Sequence, residues 1–181
     1  MKQLILIYLT IISLAATAQQ QEISMNDTEF RRELSMSDTE GKRVNGVYLY
    51  YEKGAEKPFT GILYAKYPNG QFISRQEFVD GVGQGFWINY YDNGNLKEVG
   101  NYEQNRVEGA IKKYYRNGNL ESEGTYRNWR IRVGEWKYYN EKGELIETIN
   151  HGKKGDFRDV EEFYKNGDIS KTYYEKLLKS E

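Results

Sequence analysis

The chain of 181 residues contains no cysteine, a single histidine and only two prolines. Without cysteine there is no disulfide and no cysteine-histidine zinc site, so the stability of the fold depends on packing alone. The lone histidine, His151, excludes a multi-histidine metal site, and no G-x-S-x-G motif accompanies it to build a serine triad. We therefore predict that the protein is not an enzyme and uses no metal and no cofactor. We interpret His151, beside Gly152, as a solvent-exposed turn residue.

An excess of charge of one sign is also lacking, since 26 basic residues are balanced by 27 acidic ones. Nucleic-acid binding, which depends on neutralising phosphates, is therefore not expected. What is abundant is tyrosine, with 17 residues, and glycine, with 18. Aromatic residues suit a pleated sheet and glycine adopts the positive φ of tight turns, so this composition favours short strands joined by glycine turns.

The N-terminal segment MKQLILIYLTIISLAATAQQ has the three parts of a secretory signal peptide. Lys2 supplies the positive start, residues 4–14 the apolar run, and Ala16-Thr17-Ala18 the small-x-small cleavage pattern. We expect residues 1–18 to be removed and the protein to be exported, periplasmic or extracellular, without a lipid anchor. The alternative is a buried N-terminal strand or helix. Residues 19–45 are polar and predict a lead-in or linker.

Five segments repeat a pair of aromatic residues, a turn glycine and an alternating tail. The turn glycines Gly70, Gly94, Gly118, Gly143 and Gly167 are separated by 24, 24, 25 and 24 residues. A fixed period in this range indicates tandem supersecondary units. Asn-Gly between alternating apolar runs is a strong hairpin signal, with a type I′ turn in which both central residues have positive φ.

The repeat predicts an all-β fold, an elongated antiparallel meander of tandem β-hairpins. We expect five clear copies plus a degenerate first one, spanning residues 46–174, followed by a tail or short helix at 175–181. The 25-residue step coincides with the second turn, at Asn128-Trp129, where an extra residue leaves the strand phases intact.

Strand alternation assigns the residues to two faces of the sheet. Trp87 is predicted to lie opposite Gly100, and Tyr91 opposite Leu96. The predicted core face then carries Trp87, Tyr91, Leu96 and Tyr102, with equivalents Ile111, Tyr115, Leu120 and Tyr126; Leu63, Tyr67, Phe72 and Phe78; and Val160, Tyr164, Ile169 and Tyr173.

The other face repeats one aromatic residue per copy among charged residues. Its candidate binding residues are Tyr90, Tyr114 and Tyr139, with Lys112 and Lys137 beside them. Two interpretations compete: the tyrosines cover the backbone beside lysine stems, or they form a row of anchors for a ligand. Trp129, in a turn, is a further candidate, either as an exposed aromatic or as a lid over the neighbouring core face.

The unit GFWINYYDNGNLKEVGNYEQNRVEG (residues 85–109) resembles the variant MORN repeat of bacteria, found in proteins labelled YwqK-family antitoxins. The matching pattern is G-x-W-x-x-Y-Y-x-N-G-x-L, and the resemblance covers roughly residues 46–174. Departures are Ile111 and Val160 at the tryptophan position, Arg158 for the leading glycine and Lys142 for the turn asparagine. The resemblance implies an elongated β-meander without established catalysis.

Two functions are compatible with this resemblance. One is an exported interaction module of the cell envelope that binds a protein or peptide along a sheet face or free edge. The other is an antitoxin or immunity protein that neutralises a cognate toxin. Lipid-surface binding, which MORN proteins in general suggest, fits less well because the chain has no basic stripe.

Overall fold

The computed structural model describes residues 32–167 and 169–179, so the predicted signal peptide and residues 19–31 of the lead-in lie outside the described part. The strands are β1 (Glu33–Ser35), β2 (Thr39–Val44), β3 (Val47–Glu52), β4 (Gly61–Lys66), β5 (Phe72–Val79), β6 (Val82–Tyr90), β7 (Leu96–Glu103), β8 (Arg106–Val107), β9 (Gly109–Tyr114), β10 (Leu120–Arg127), β11 (Ile131–Tyr139) and β12 (Leu145–Asn150). A 3-10 helix (Met36–Asp38) follows β1, and the helices α1 (Arg158–Lys165) and α2 (Lys171–Leu178) come last.

The predicted antiparallel meander is confirmed. Strands β4 to β7 and β9 to β12 follow one another in a single sheet, with β8 paired to β7. Strand β1 is added to β4 in parallel, so residues 33–35 of the predicted lead-in belong to the sheet. Strands β2 and β3 form a separate two-stranded hairpin.

The predicted pairing of Trp87 with Gly100 is also confirmed. Glycine is needed there because the indole lies across the neighbouring strand. A Cβ atom at Gly100 would come within 3.0 Å of the Trp87 ring, and one at Gly124 within 2.3 Å of the Trp136 ring. Both contacts are closer than packed carbon atoms allow, so the tryptophans require these glycines.

The prediction of type I′ turns at Asn-Gly is wrong. In the β6–β7 hairpin only Gly94 has positive φ, at 85°, while Asn93 does not. The Gly94 N–H donates to the Tyr91 carbonyl, and the Tyr91 N–H to the Asn95 carbonyl. This pattern is a type I turn followed by a left-handed glycine, which inserts a bulge into the hairpin. Tyr90 therefore pairs with Leu96, where the sequence predicted Tyr91.

Type I′ geometry occurs instead at the second set of turns, which joins successive hairpins. Asp80 and Gly81 have φ of 48° and 77°, and Gln104 and Asn105 have 50° and 63°. The third of these turns contains three residues, 128–130, all with positive φ. The extra residue of the 25-residue step lies in this turn, as predicted.

Because the bulge shifts the strand phase, the division of residues between faces differs from the prediction. The indole face holds a buried cluster of Trp87, Val107, Ile111, Tyr126 and Trp136. The tyrosine face holds Ile62, Ile88, Tyr90, Val99, Tyr114 and Leu120, with Phe72 and Leu96 packed against them. Phe72, Leu96 and Leu120 thus lie on the face opposite to the one predicted.

Side chains at the first three glycine turns, those of Gly70, Gly94 and Gly118, bind the next hairpin. The hydroxyls of Tyr67, Tyr91 and Tyr115 donate to the carbonyls of Tyr90, Tyr114 and Tyr139, at 3.1, 2.8 and 2.8 Å. The amides of Asn69, Asn93 and Asn117 donate to the carbonyls of Asp92, Arg116 and Glu141, at 2.7, 3.1 and 2.9 Å. The repeated tyrosine and asparagine therefore fix the spacing between hairpins, which explains why the motif returns.

The predicted fifth hairpin is not formed. Its described residues build α1 and α2, so the described part of the chain contains four hairpin copies of the meander. Val160 and Tyr164 are four residues apart, a helical spacing, and Ser170 caps α2 by accepting from the Tyr173 N–H at 3.2 Å. Val160, predicted as a core residue on a strand, is instead a core residue on a helix, where it is fully buried against Ile131 and Leu177.

The degenerate first copy is not a hairpin of the meander either. Strand β3 pairs with β2, and only an isolated bridge from Tyr51 to Pro58 connects it to the segment before β4. Residues 39–44, predicted as part of a linker, are thus the partner strand of β3.

Candidate functional site

Two of the predicted anchors, Tyr90 and Tyr114, are buried. Their exposed fractions are 6% and 5%, and both belong to the apolar cluster of the tyrosine face. The hydroxyl oxygen of Tyr114 is buried and has no hydrogen-bond partner in the described part of the chain. Burial, together with the charge of Glu123, raises the pKa of Tyr114 to about 12. A side chain in this state contributes packing and offers a partner little surface.

Tyr139, Lys112 and Lys137 lie together on the same face, around Glu123. The Tyr139 hydroxyl donates to Glu123 at 2.9 Å, and the Lys112 ammonium lies 3.8 Å from the same carboxylate. Burial and the bond to Glu123 raise the pKa of Tyr139 to about 12. Lys137, paired with Glu123 across the strands, is 3.4 Å from Glu135. The lysines are neutralised locally and do not form a cationic row.

Trp129 is separated from these residues. Its ring makes edge contacts with Phe163 of α1 and Tyr173 of α2, with centroids 5.0 and 6.0 Å apart. The neighbouring Arg130 bonds Glu98 at 3.2 Å. The turn therefore attaches the helices to the sheet, and it is not a free binding loop.

The interpretation of His151 as an exposed residue is wrong. Its side chain is 6% exposed and packs edge-on against Trp136. Nδ1 is 3.5 Å from the Asp156 carboxylate, while Nε2 is buried without a partner among the described residues. Burial lowers the pKa of His151, with Asp156 opposing this effect. These contacts, with Trp136 and Asp156, are those of a packed core residue.

A free edge of the sheet, one of the binding surfaces that the sequence left open, carries the most exposed large apolar side chains of the described residues. Strand β12 pairs with β11, and no other described strand pairs with its outer side. Leu145 and Ile146 are 55% and 63% exposed. The sequence carries a signal for this edge: Asn140 and Lys142 replace the tyrosine and asparagine that elsewhere bind the next hairpin.

Three consecutive hairpins of the meander match a known repeat. Residues 84–104, 107–128 and 132–152 match the family described as MORN repeat variant. The matched segments coincide with the β6–β7 hairpin, with β9–β10 and with β11–β12. MORN repeats are known in protein-interaction modules and are generally non-catalytic. Searches of curated proteins and of solved structures give no significant match.

The described residues contain neither a membrane-spanning helix nor a cluster of metal ligands. Neither α1 nor α2, the helices of the described part, has the length and apolar character needed to cross a membrane. In the same residues no group of three or more histidine, cysteine or carboxylate side chains is placed to hold a metal ion.

Proposed function

We propose that this protein is an exported, non-catalytic repeat module of the cell envelope, and that it binds a protein or peptide at the edge strand β12. The observation that carries the proposal is the exposed outer side of β12, where Leu145 and Ile146 face solvent. An edge strand presents unpaired N–H and C=O groups, and natural sheets usually shield such edges.

A partner segment that adds a strand to β12 gains main-chain hydrogen bonds and covers both apolar side chains. Glu144 and Glu147 are exposed on the same segment. A partner strand with lysine or arginine residues is therefore the electrostatic complement of this edge. The apolar cluster of the tyrosine face reaches β11, the strand that pairs with β12, through Tyr139.

The edge is tested by replacing Leu145 and Ile146 together with lysine. We expect this variant to fold and to lose binding of the partner captured by the wild-type protein, because edge lysines oppose strand addition. Hydrogen exchange on the wild-type complex should show new protection of the β12 amides.

The matched control is Val47→Lys, at a residue 47% exposed on the β2–β3 hairpin. It replaces another exposed apolar side chain, away from β12, and should leave binding unchanged. Equal loss with the control, or unchanged β12 exchange in the complex, would place the interface on another surface.

The export part of the proposal is supported by the three-part N-terminus. We expect mass spectrometry of the protein recovered outside the cytoplasm to show a mature form that starts at Gln19. Detection of residues 1–18 on the recovered protein would contradict cleavage.

The resemblance to YwqK-family antitoxins supplies the alternative, in which the partner is a toxin. Its support is the G-x-W-x-x-Y-Y-x-N-G-x-L unit in residues 85–96. Growth distinguishes the two functions: an antitoxin restores growth of cells that express the captured partner, and the Leu145 and Ile146 lysine variant does not.

A further inference from the structure

A groove lies between the β2–β3 hairpin and the indole face, and it is not part of the binding edge proposed above. Its volume is about 180 Å³, below the roughly 300 Å³ of sites for drug-sized ligands. Four aromatic rings line it, from Tyr48, Tyr50, Phe78 and Tyr102, together with the amides of Gln76 and Asn105. In the described part of the chain none of its lining residues is charged, although 29% of the whole sequence is.

The aromatic walls are held in a fixed arrangement. The Tyr50 ring contacts those of Tyr48 and Phe78 edge-on, with centroids 5.3 and 5.1 Å apart. Asn105 ties the hairpin to the sheet, because its Oδ1 accepts from the Gly83 N–H at 2.6 Å and its Nδ2 donates to the Tyr48 carbonyl at 3.0 Å. Tyr48 remains 45% exposed at the rim.

Gln76 is a departure from the repeat. The equivalent residues in the next two copies are Gly100 and Gly124, each beneath a neighbouring side chain. Gln76 pairs with Leu63 on one neighbouring strand and with Trp87 on the other, so its polar amide lies between two apolar residues. Within the described residues this amide makes no side-chain hydrogen bond. Departures from a consistent local pattern are expected where a residue serves function.

The hydroxyls near Gln76 are available as well. Tyr126 donates to Asp159 at 2.6 Å, whereas its repeat equivalent Tyr102 has no such bond in the described part of the chain. Burial raises the pKa of both Tyr50 and Tyr102, so their hydroxyls stay protonated at neutral pH. The groove thus combines flat apolar rings with neutral groups that both donate and accept hydrogen bonds.

We propose that this groove binds one ring of a neutral carbohydrate. A pyranose ring has C–H faces that pack on aromatic rings and hydroxyls that match amides and phenols as donors and acceptors. The uncharged side chains that line the groove among the described residues offer no cation to phosphorylated or acidic sugars. The site lies on the indole face and is separate from β12, so it does not depend on the proposed protein interface.

The test is a titration of the isotope-labelled full chain with methyl β-glucopyranoside and with N-acetylglucosamine, followed by amide NMR. We expect shifts centred on Gly83 and Asn105. Gln76→Ala and Tyr48→Ala should each raise the Kd about tenfold, equivalent to the loss of a good hydrogen bond or aromatic contact. Gln71→Ala changes the same residue type in a distant turn and should leave the Kd unchanged.

If Gln76→Ala does not fold, Gln76→Gly replaces it, since glycine is the residue the next repeats carry. The proposal is overturned if neither sugar shifts the groove amides, or if Gln71→Ala weakens binding as much as Gln76→Ala. It is also overturned if a hexaproline peptide shifts them while both sugars do not, since aromatic grooves bind polyproline helices too.

Discussion

Tyr114→Ala is expected to lower the free energy of unfolding by about 3–5 kcal/mol, the range for deleting a large buried aromatic side chain. Tyr114 is 5% exposed and packs among Tyr90, Val99 and Leu120 in the middle of the tyrosine face. The surrounding strands are fixed by hydrogen bonds and cannot collapse into the cavity. Chemical denaturation of the wild type and the variant gives the difference directly.

Phenylalanine variants of two adjacent tyrosines separate packing from hydrogen bonding. Tyr114→Phe should be neutral or slightly stabilising, because it removes a buried hydroxyl that has no partner among the described residues. Tyr115→Phe should cost about 0.5–1.5 kcal/mol, because its hydroxyl donates to the Tyr139 carbonyl at 2.8 Å. An unchanged unfolding midpoint in Tyr114→Ala would mean that the tyrosine face is not a core. It would favour the interpretation in which its tyrosines are binding anchors.

Asp159→Ala is expected to destabilise the junction between the sheet and α1 by about 2–4 kcal/mol, somewhat less than the roughly 3–5 kcal/mol for breaking a fully buried ion pair. Both oxygens of Asp159 accept from Arg132, at 2.6 and 2.9 Å, and the Tyr126 hydroxyl donates to one of them at 2.6 Å. The side chains of Arg132 and Asp159 are 18% and 15% exposed. Removal of the carboxylate leaves the guanidinium without its main partner.

Glu161→Ala is the matched control on the same helix. Glu161 pairs with Lys165 at 2.9 Å, but the two side chains are 46% and 68% exposed, so the loss should be about 0.5 kcal/mol or less. Hydrogen exchange should show faster exchange of α1 and α2 amides in Asp159→Ala only. Similar losses in both variants would mean that the helices are held by the apolar contacts of Val160 and Leu177 alone.

Local rules of chain geometry made the hairpin repeat predictable. The turn glycines recur because a left-handed residue is needed at each turn, and Gly100 could be assigned opposite Trp87 because a ring needs an empty neighbour. The turn type could not be derived from Asn-Gly alone. The Asn93 side chain accepts from the Asn95 N–H at 3.1 Å while its amide binds the next hairpin, and this non-local bond favours the bulged turn.

The sequence by itself determined the meander, its period and the place of the extra residue at 128–130. The tertiary structure decided where the meander ends. Tyr164 and Asn166 repeat the motif, yet the described residues around them form helices. One reason is that Asn140 and Lys142 do not supply the side-chain bonds that would attach a fifth hairpin. The other is that Val160, as part of a helix, is buried against Ile131. The tertiary structure also decided that Tyr90 and Tyr114 are core residues. Both faces of the sheet are packed, and the exposure of a side chain depends on neighbours that are distant in the chain.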